Sequence, residues 1–100
     1  MELEWDENKR EQNIQLRNVD MVYAALIFEG EYLTKVDSRK DYGEERLISL
    51  GMVDGECFVV VHTERDGVTR LITAWKGGRS ERQQYEAGIA RGHKEDEGAG

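Results

Sequence analysis

One hundred residues suffice for one domain with a single modest core, and the chain divides 38% hydrophobic against 35% charged. Its net charge of −7 argues against indiscriminate nucleic-acid binding, since like charge repels the phosphate backbone, but leaves room for a local basic site or a basic partner protein. No run of about 18 apolar residues could cross a bilayer, and "MELEWDENKR" lacks the basic-then-apolar layout of a signal peptide, so a soluble cytoplasmic protein with no membrane partner is expected.

The opening residues alternate Leu3 and Trp5 with Glu2 and Glu4, which predicts a strand. Asp6 then offers its carboxylate as an N-cap for a helix, "ENKREQNIQLRN". That helix is strongly polar, with Ile14 and Leu16 its aliphatic contacts, and is expected on the surface. Asp20 caps a second helix, "MVYAALIFEG", where Met21, Ala24, Ala25 and Phe28 recur at helical spacing and Gly30 closes the run. "EYLTKV" is a short strand, and "DSRKDYGEE" a polar loop over 37–45.

Three strands follow, "RLISLGMVD", "ECFVVVHTE" and "VTRLITAW", divided by Asp54-Gly55 and Asp66-Gly67. Both dipeptides are two-residue hairpin signals, so an antiparallel meander is expected over 46–75. "SERQQYEAGIARG" is a helix, and the charged residues 93–100 are expected as a flexible tail beyond a single domain at 1–92. Helices segregated from an antiparallel sheet define an α+β fold whose second face is partly open.

The charge is unevenly placed. Residues 65–82 hold Arg65, Arg70, Lys76, Arg79 and Arg82 against Asp66 and Glu81 on an otherwise acidic chain. Arg79 and Arg82 sit where the last helix begins, a position that disfavours cations, so either an anion binds there or the face is a solvated one with Glu81 and Glu86 as local partners. The Gly77-Gly78 break is expected to turn the chain so that Arg79 shares an open surface with Arg65 and Arg46, with Lys76 at its rim.

In "VVVHTER", alternation sets His62 and Glu64 on one face and Arg65 on the other. Two readings stay open for the pair. His62 fills a half-buried strand position while Glu64 bridges to Arg70, or His62 and Glu64 act as acid and base. RNA cleavage without a metal suits the second, with arginine forks gripping phosphate. His62 and His93 stand far apart and the lone Cys57 has no partner at ligand spacing, so no metal and no cofactor are expected. That single cysteine also excludes an internal disulfide.

Five fragments occur in an order that resembles the BrnT toxins over roughly residues 2–86. They are "EWDENKREQN", Phe28-Glu29 at the end of the second helix, "GEERLISLG", "VVVHTER", and "ITA" followed by "RSERQQYE". The resemblance implies a RelE-like α+β fold and a ribonuclease toxin of a type II toxin–antitoxin pair that inhibits growth. It also implies a hetero-oligomer with a BrnA-like antitoxin, whose own DNA-binding domain gives the complex its only, indirect contact with DNA. By position it carries over Lys9, Arg46, Glu64, Arg65, Arg79, Glu81 and Tyr85, the last two as anchors of the final helix.

Two departures stand out. The family's Ile-Ser-Ala-Arg reads "ITAW" here, with Trp75 in the basic position, and its Lys-His-Gly reads "LRN" at 16–18. Trp75 is therefore expected either to stack on an RNA base or to mark a degenerate toxin, an antitoxin-binding module acting in operon autoregulation.

Overall fold

The computed structural model describes residues 1–39, 41 and 43–99, the side chains of 93–99 excepted. The side chains of His93 and of the rest of the expected tail fall outside that set. Five strands form one sheet in the order β1-β5-β4-β3-β2. They are β1 (Glu2–Glu4), β2 (Tyr32–Val36), β3 (Leu47–Val53), β4 (Glu56–Arg65) and β5 (Val68–Lys76). The helices are α1 (Glu7–Arg17), α2 (Met21–Ala24), continued by a 3₁₀ segment Ala25–Glu29, and α3 (Arg79–Ala99). All neighbouring strands run antiparallel except β1, which pairs parallel with the start of β5.

Both predicted hairpins form. Asp54 and Gly55 adopt φ of 50° and 80°, Asp66 and Gly67 of 53° and 80°, which is the left-handed pair a two-residue turn requires. Asp6 and Asp20 each cap a helix by accepting backbone N–H bonds. Arg10 then donates to Asp20 at 2.8 and 3.0 Å and to Glu7 at 3.0 Å, tying α1 to the start of α2. That guanidinium holds the Asp20 carboxyl below its usual range.

α2 and the 3₁₀ segment cover the first face of the sheet, where Met21, Ala24 and Ile27 are fully buried against Phe58, Val60, Leu71 and Ala74. The tighter 3₁₀ winding brings Ile27 down, where the sequence favoured Phe28. It fits because Gly51 has no side chain: a Cβ there would lie 2.5 Å from that of Ile27. On the second face Ile48, Leu50, Val59 and Val61 form a smaller cluster with Ile72, Trp75 and Tyr85. α3 packs over one end of this face.

α1 corrects the sequence expectation. Ile14 and Leu16 are exposed, and the one buried residue of the helix is Asn13. β1 pairs with β5 only as far as Arg70, so the edge of β5 beyond it would be bare. The Asn13 amide fills the gap: its Nδ2 donates to the carbonyls of Ala74 (2.9 Å) and Val19 (2.8 Å), and its Oδ1 accepts from the Ala74 N–H and the Thr73 hydroxyl. A side-chain amide here takes the place of a strand.

β5 also carries a bulge. Val61 pairs with Thr73 but His62 pairs with Leu71, leaving Ile72 as the extra residue. Leu71 faces the first cluster, and the inserted residue turns Trp75 to the second.

Truncating the buried amide should expose its weight. Asn13→Ala removes four hydrogen bonds and leaves the Ala74 groups buried without partners, costing about 2–3 kcal/mol and lowering the thermal midpoint by roughly 10–20 °C. Leu16→Ala, on an exposed neighbour, should move it by no more than a degree or two.

Candidate functional site

His62 and Glu64 extend from β4 toward the first face. His62 is 2% exposed and its ring meets Phe28 edge-on at 5.1 Å. Its Nε2 shares a 2.7 Å hydrogen bond with the Ser49 hydroxyl, which in turn bonds to Thr34. Its Nδ1 lies 3.1 Å from Glu64 Oε1, while Glu64 Oε2 accepts from the Thr69 hydroxyl at 2.8 Å. Burial lowers the pKa of His62, with Glu64 opposing the shift. The bridge from Glu64 to Arg70 does not form; Arg70 pairs with Glu4 at 3.3 Å instead.

The cations read as one cluster divide between the two ends of β4. Lys76 opposes Phe58 while Arg65 opposes Val68, and seven residues of strand separate them by roughly 23 Å. Lys76 binds Glu56 at 3.1 Å, and Arg82 reaches Glu86 and the Gly55 carbonyl. Arg79 begins α3 at this same end and does not share a surface with Arg65 and Arg46. The Gly77-Gly78 break serves close packing: a Cβ at Gly77 would lie 2.9 Å from Cys57 Sγ. Its N–H bonds to the Cys57 carbonyl, while the Gly78 N–H donates to Glu81. Tyr85 donates to the Glu31 carbonyl, so Glu81 and Tyr85 both seat the helix.

The second face beyond α3 assembles a different set. The guanidinium of Arg17, from the end of α1, lies 4.8 Å from the centre of the Trp75 ring. That of Arg39 lies 5.7 Å from the same ring, both within cation–π range. Arg39 is held by Asp37, whose buried carboxylate accepts two side-chain bonds at 2.8 Å, while the Asp37 N–H donates to the Arg46 carbonyl. Glu44 then stands between Arg46 (3.8 Å) and Arg65 (3.1 Å). Beside Arg17, a cleft of about 310 Å³ between α1 and β5 is lined by Lys9, Gln12, Ile72 and Thr73.

Lys9 and Arg17 thus share a cleft, Arg17 and Arg39 flank Trp75, and Arg46 and Arg65 lie further along the same face, with Asp37 and Glu44 set among them. Sequence reasoning supplied Lys9, Trp75, Arg46 and Arg65 but missed Arg17, Arg39, Asp37 and Glu44. Three of those four lie in the 37–45 segment, where composition signals only a polar loop.

The chain belongs to the BrnT family, the ribonuclease toxins of type II toxin–antitoxin systems, whose family model matches residues 5–81. The match takes in α1, α2, the strands β2 to β5 and the first three residues of α3, and leaves out β1. No curated protein matches the chain. No helix among the described residues is long and apolar enough to cross a membrane.

The His62 network has a pH signature. A lowered folded-state pKa means the unfolded chain binds more protons below about 6.5, so stability falls as pH drops through that value. Urea midpoints at pH 7.5 and 5.5 should show this loss, and His62→Gln, which keeps a partner for Ser49, should flatten it. An unchanged slope in the variant would mean that other groups carry the acid limb.

Proposed function

We propose that the chain is a metal-independent endoribonuclease of RelE-like arrangement that binds RNA across the second sheet face and inhibits growth until a BrnA-like antitoxin covers it. The observation that carries the reading is the set Lys9, Arg17, Arg39, Arg46 and Arg65 on the face that holds Trp75, five cations against Asp37 and Glu44 on a chain of net charge −7. Guanidinium forks suit phosphate because each can hold two oxygens. Charge gathers on the phosphate as the ribose 2′-oxygen attacks, and fixed cations stabilise it there without reorganising.

Glu44 is the accessible carboxylate of this set, since Asp37 is buried, and it lies between Arg46 and Arg65. In this reading it takes the 2′-proton as the 2′-oxygen bonds to phosphorus, the bond from phosphorus to the 5′-oxygen breaks, that oxygen takes its proton from water, and Arg46 and Arg65 hold the phosphate. Glu64 and His62 point to the other side of the sheet, where they fix the end of β4 and so the position of Arg65. Lys76 and Arg79 stand apart from the reacting phosphate. DNA contact belongs to the antitoxin, and the toxin works in the cytoplasm where its RNA lies.

The second reading, an antitoxin-binding module with little nuclease activity, rests on Trp75. The tryptophan replaces a basic residue of the family pattern, and two arginines already occupy positions over its ring.

Cleavage of a single-stranded RNA by the purified chain separates the readings. Glu44→Gln should lower the rate by about 10²–10⁴-fold, the usual contribution of a general base, while RNA affinity holds or rises. Glu64→Gln should cost far less once folding is matched. Equal losses would return the base to Glu64, and an inactive parent chain would favour the second reading.

A further inference from the structure

β2 is an outer strand of the sheet, and no described strand pairs with its far edge. Its register shows which groups that edge presents. The Asp37 N–H donates to the Arg46 carbonyl at 2.7 Å, and bonded pairs alternate along an antiparallel ladder, so Leu33 and Lys35 also bond inward to β3. The N–H and C=O of Tyr32, Thr34 and Val36 therefore point outward, a row that only another extended chain can match in full.

The side chains and the neighbouring helix add specificity. Tyr32 and Val36 lie on the first face, 39% and 55% exposed, while Leu33 and Lys35 lie on the second. α3 crosses above this edge: a Cβ on Gly88 would strike a Leu33 methyl, and the helix continues to Ala99. At 1.5 Å per residue that is roughly 16 Å of helix beyond the crossing. A groove of about 780 Å³ lies between helix and sheet, lined by Leu33, Lys35 and Leu50 below and Gln84, Ala87 and Arg91 above. Among the described residues two cations and no carboxylate line it, on a chain that is otherwise acidic.

We propose that the outer edge of β2 receives an extended segment of the antitoxin as a sixth strand, with apolar residues against Tyr32 and Val36 and a carboxylate reaching Lys35 and Arg91. The inference rests on membership in a toxin family whose members are paired with an antitoxin. Self-association fits the edge less well. Antiparallel pairing of two copies about Thr34 would set Lys35 against Leu33 rather than a carboxylate, between chains of net charge −7 each.

The test is hydrogen exchange on the full chain, alone and with the purified antitoxin of its pair, together with binding to Val36→Pro. Proline at that position deletes an outward N–H and no ladder bond, so the free variant should keep its fold. The amides of Tyr32, Thr34 and Val36 should slow at least tenfold in the complex, and the variant should bind the antitoxin at least tenfold more weakly with an unchanged circular dichroism spectrum.

Antitoxin binding that leaves those amides exchanging freely, or that is insensitive to Val36→Pro, would overturn the proposal. So would no binding at all, or concentration-dependent protection without antitoxin, which would assign the edge to a second copy. None of these readouts requires cleavage. An inactive chain protected at this edge would sink the nuclease reading alone, and an active chain unprotected there would sink only the inference.

Discussion

The Asn13 amide decides how this small domain is put together. β1 covers only the beginning of β5, and a strand edge left bare inside a protein would hold backbone groups that water cannot reach. By bonding to Ala74 on one side and the Val19 carbonyl on the other, Asn13 fixes α1 against the sheet and starts the chain toward α2. The placement of Lys9 and Arg17 follows from that docking, since both lie on the helix that the amide holds. One buried polar group thus links the core to the surface where chemistry is proposed.

The sheet divides its work by face. On the first, Phe28, Ser49, Thr34 and Glu64 surround His62, which is buried too deeply to meet a polynucleotide. On the second, α3 covers one end and leaves the other to Trp75 and the arginines. The charges near the start of α3 are balanced locally: Lys76 by Glu56, Arg82 by Glu86. Clustering in sequence was therefore a poor guide to clustering in space, because the nine residues of β5 carry the chain from Arg65 at one end of the sheet to Lys76 at the other.

Much of the fold was legible because its signals are local. Asp6, Asp20, Asp54-Gly55 and Asp66-Gly67 each act on the backbone within a few residues, and all do what their chemistry predicts. Non-local effects were not legible. Plain alternation from Leu71 would put Thr73 and Trp75 on its own face, and the bulge at Ile72 reverses that; nothing in "LITAW" announces the extra residue. Asn13 likewise reads as one more polar residue of a surface helix until a strand 60 positions away needs its amide. The arginine at 39 gains its meaning only from a carboxylate two residues back that the fold happens to bury.

RNA is proposed to lie on the second face and not at the start of α3. Salt dependence of single-stranded RNA affinity tests it most directly, comparing Lys9→Ala/Arg17→Ala with Arg79→Ala/Arg82→Ala. Both pairs are exposed and remove the same net charge, so any general electrostatic effect cancels. The first pair should weaken binding and flatten the plot of log affinity against log salt by about 0.7 for each phosphate that is no longer neutralised, while the second should leave the slope as it was. A slope that flattens only in the Arg79/Arg82 variant would place the RNA at the opposite end of the sheet and rule out the second face as its site.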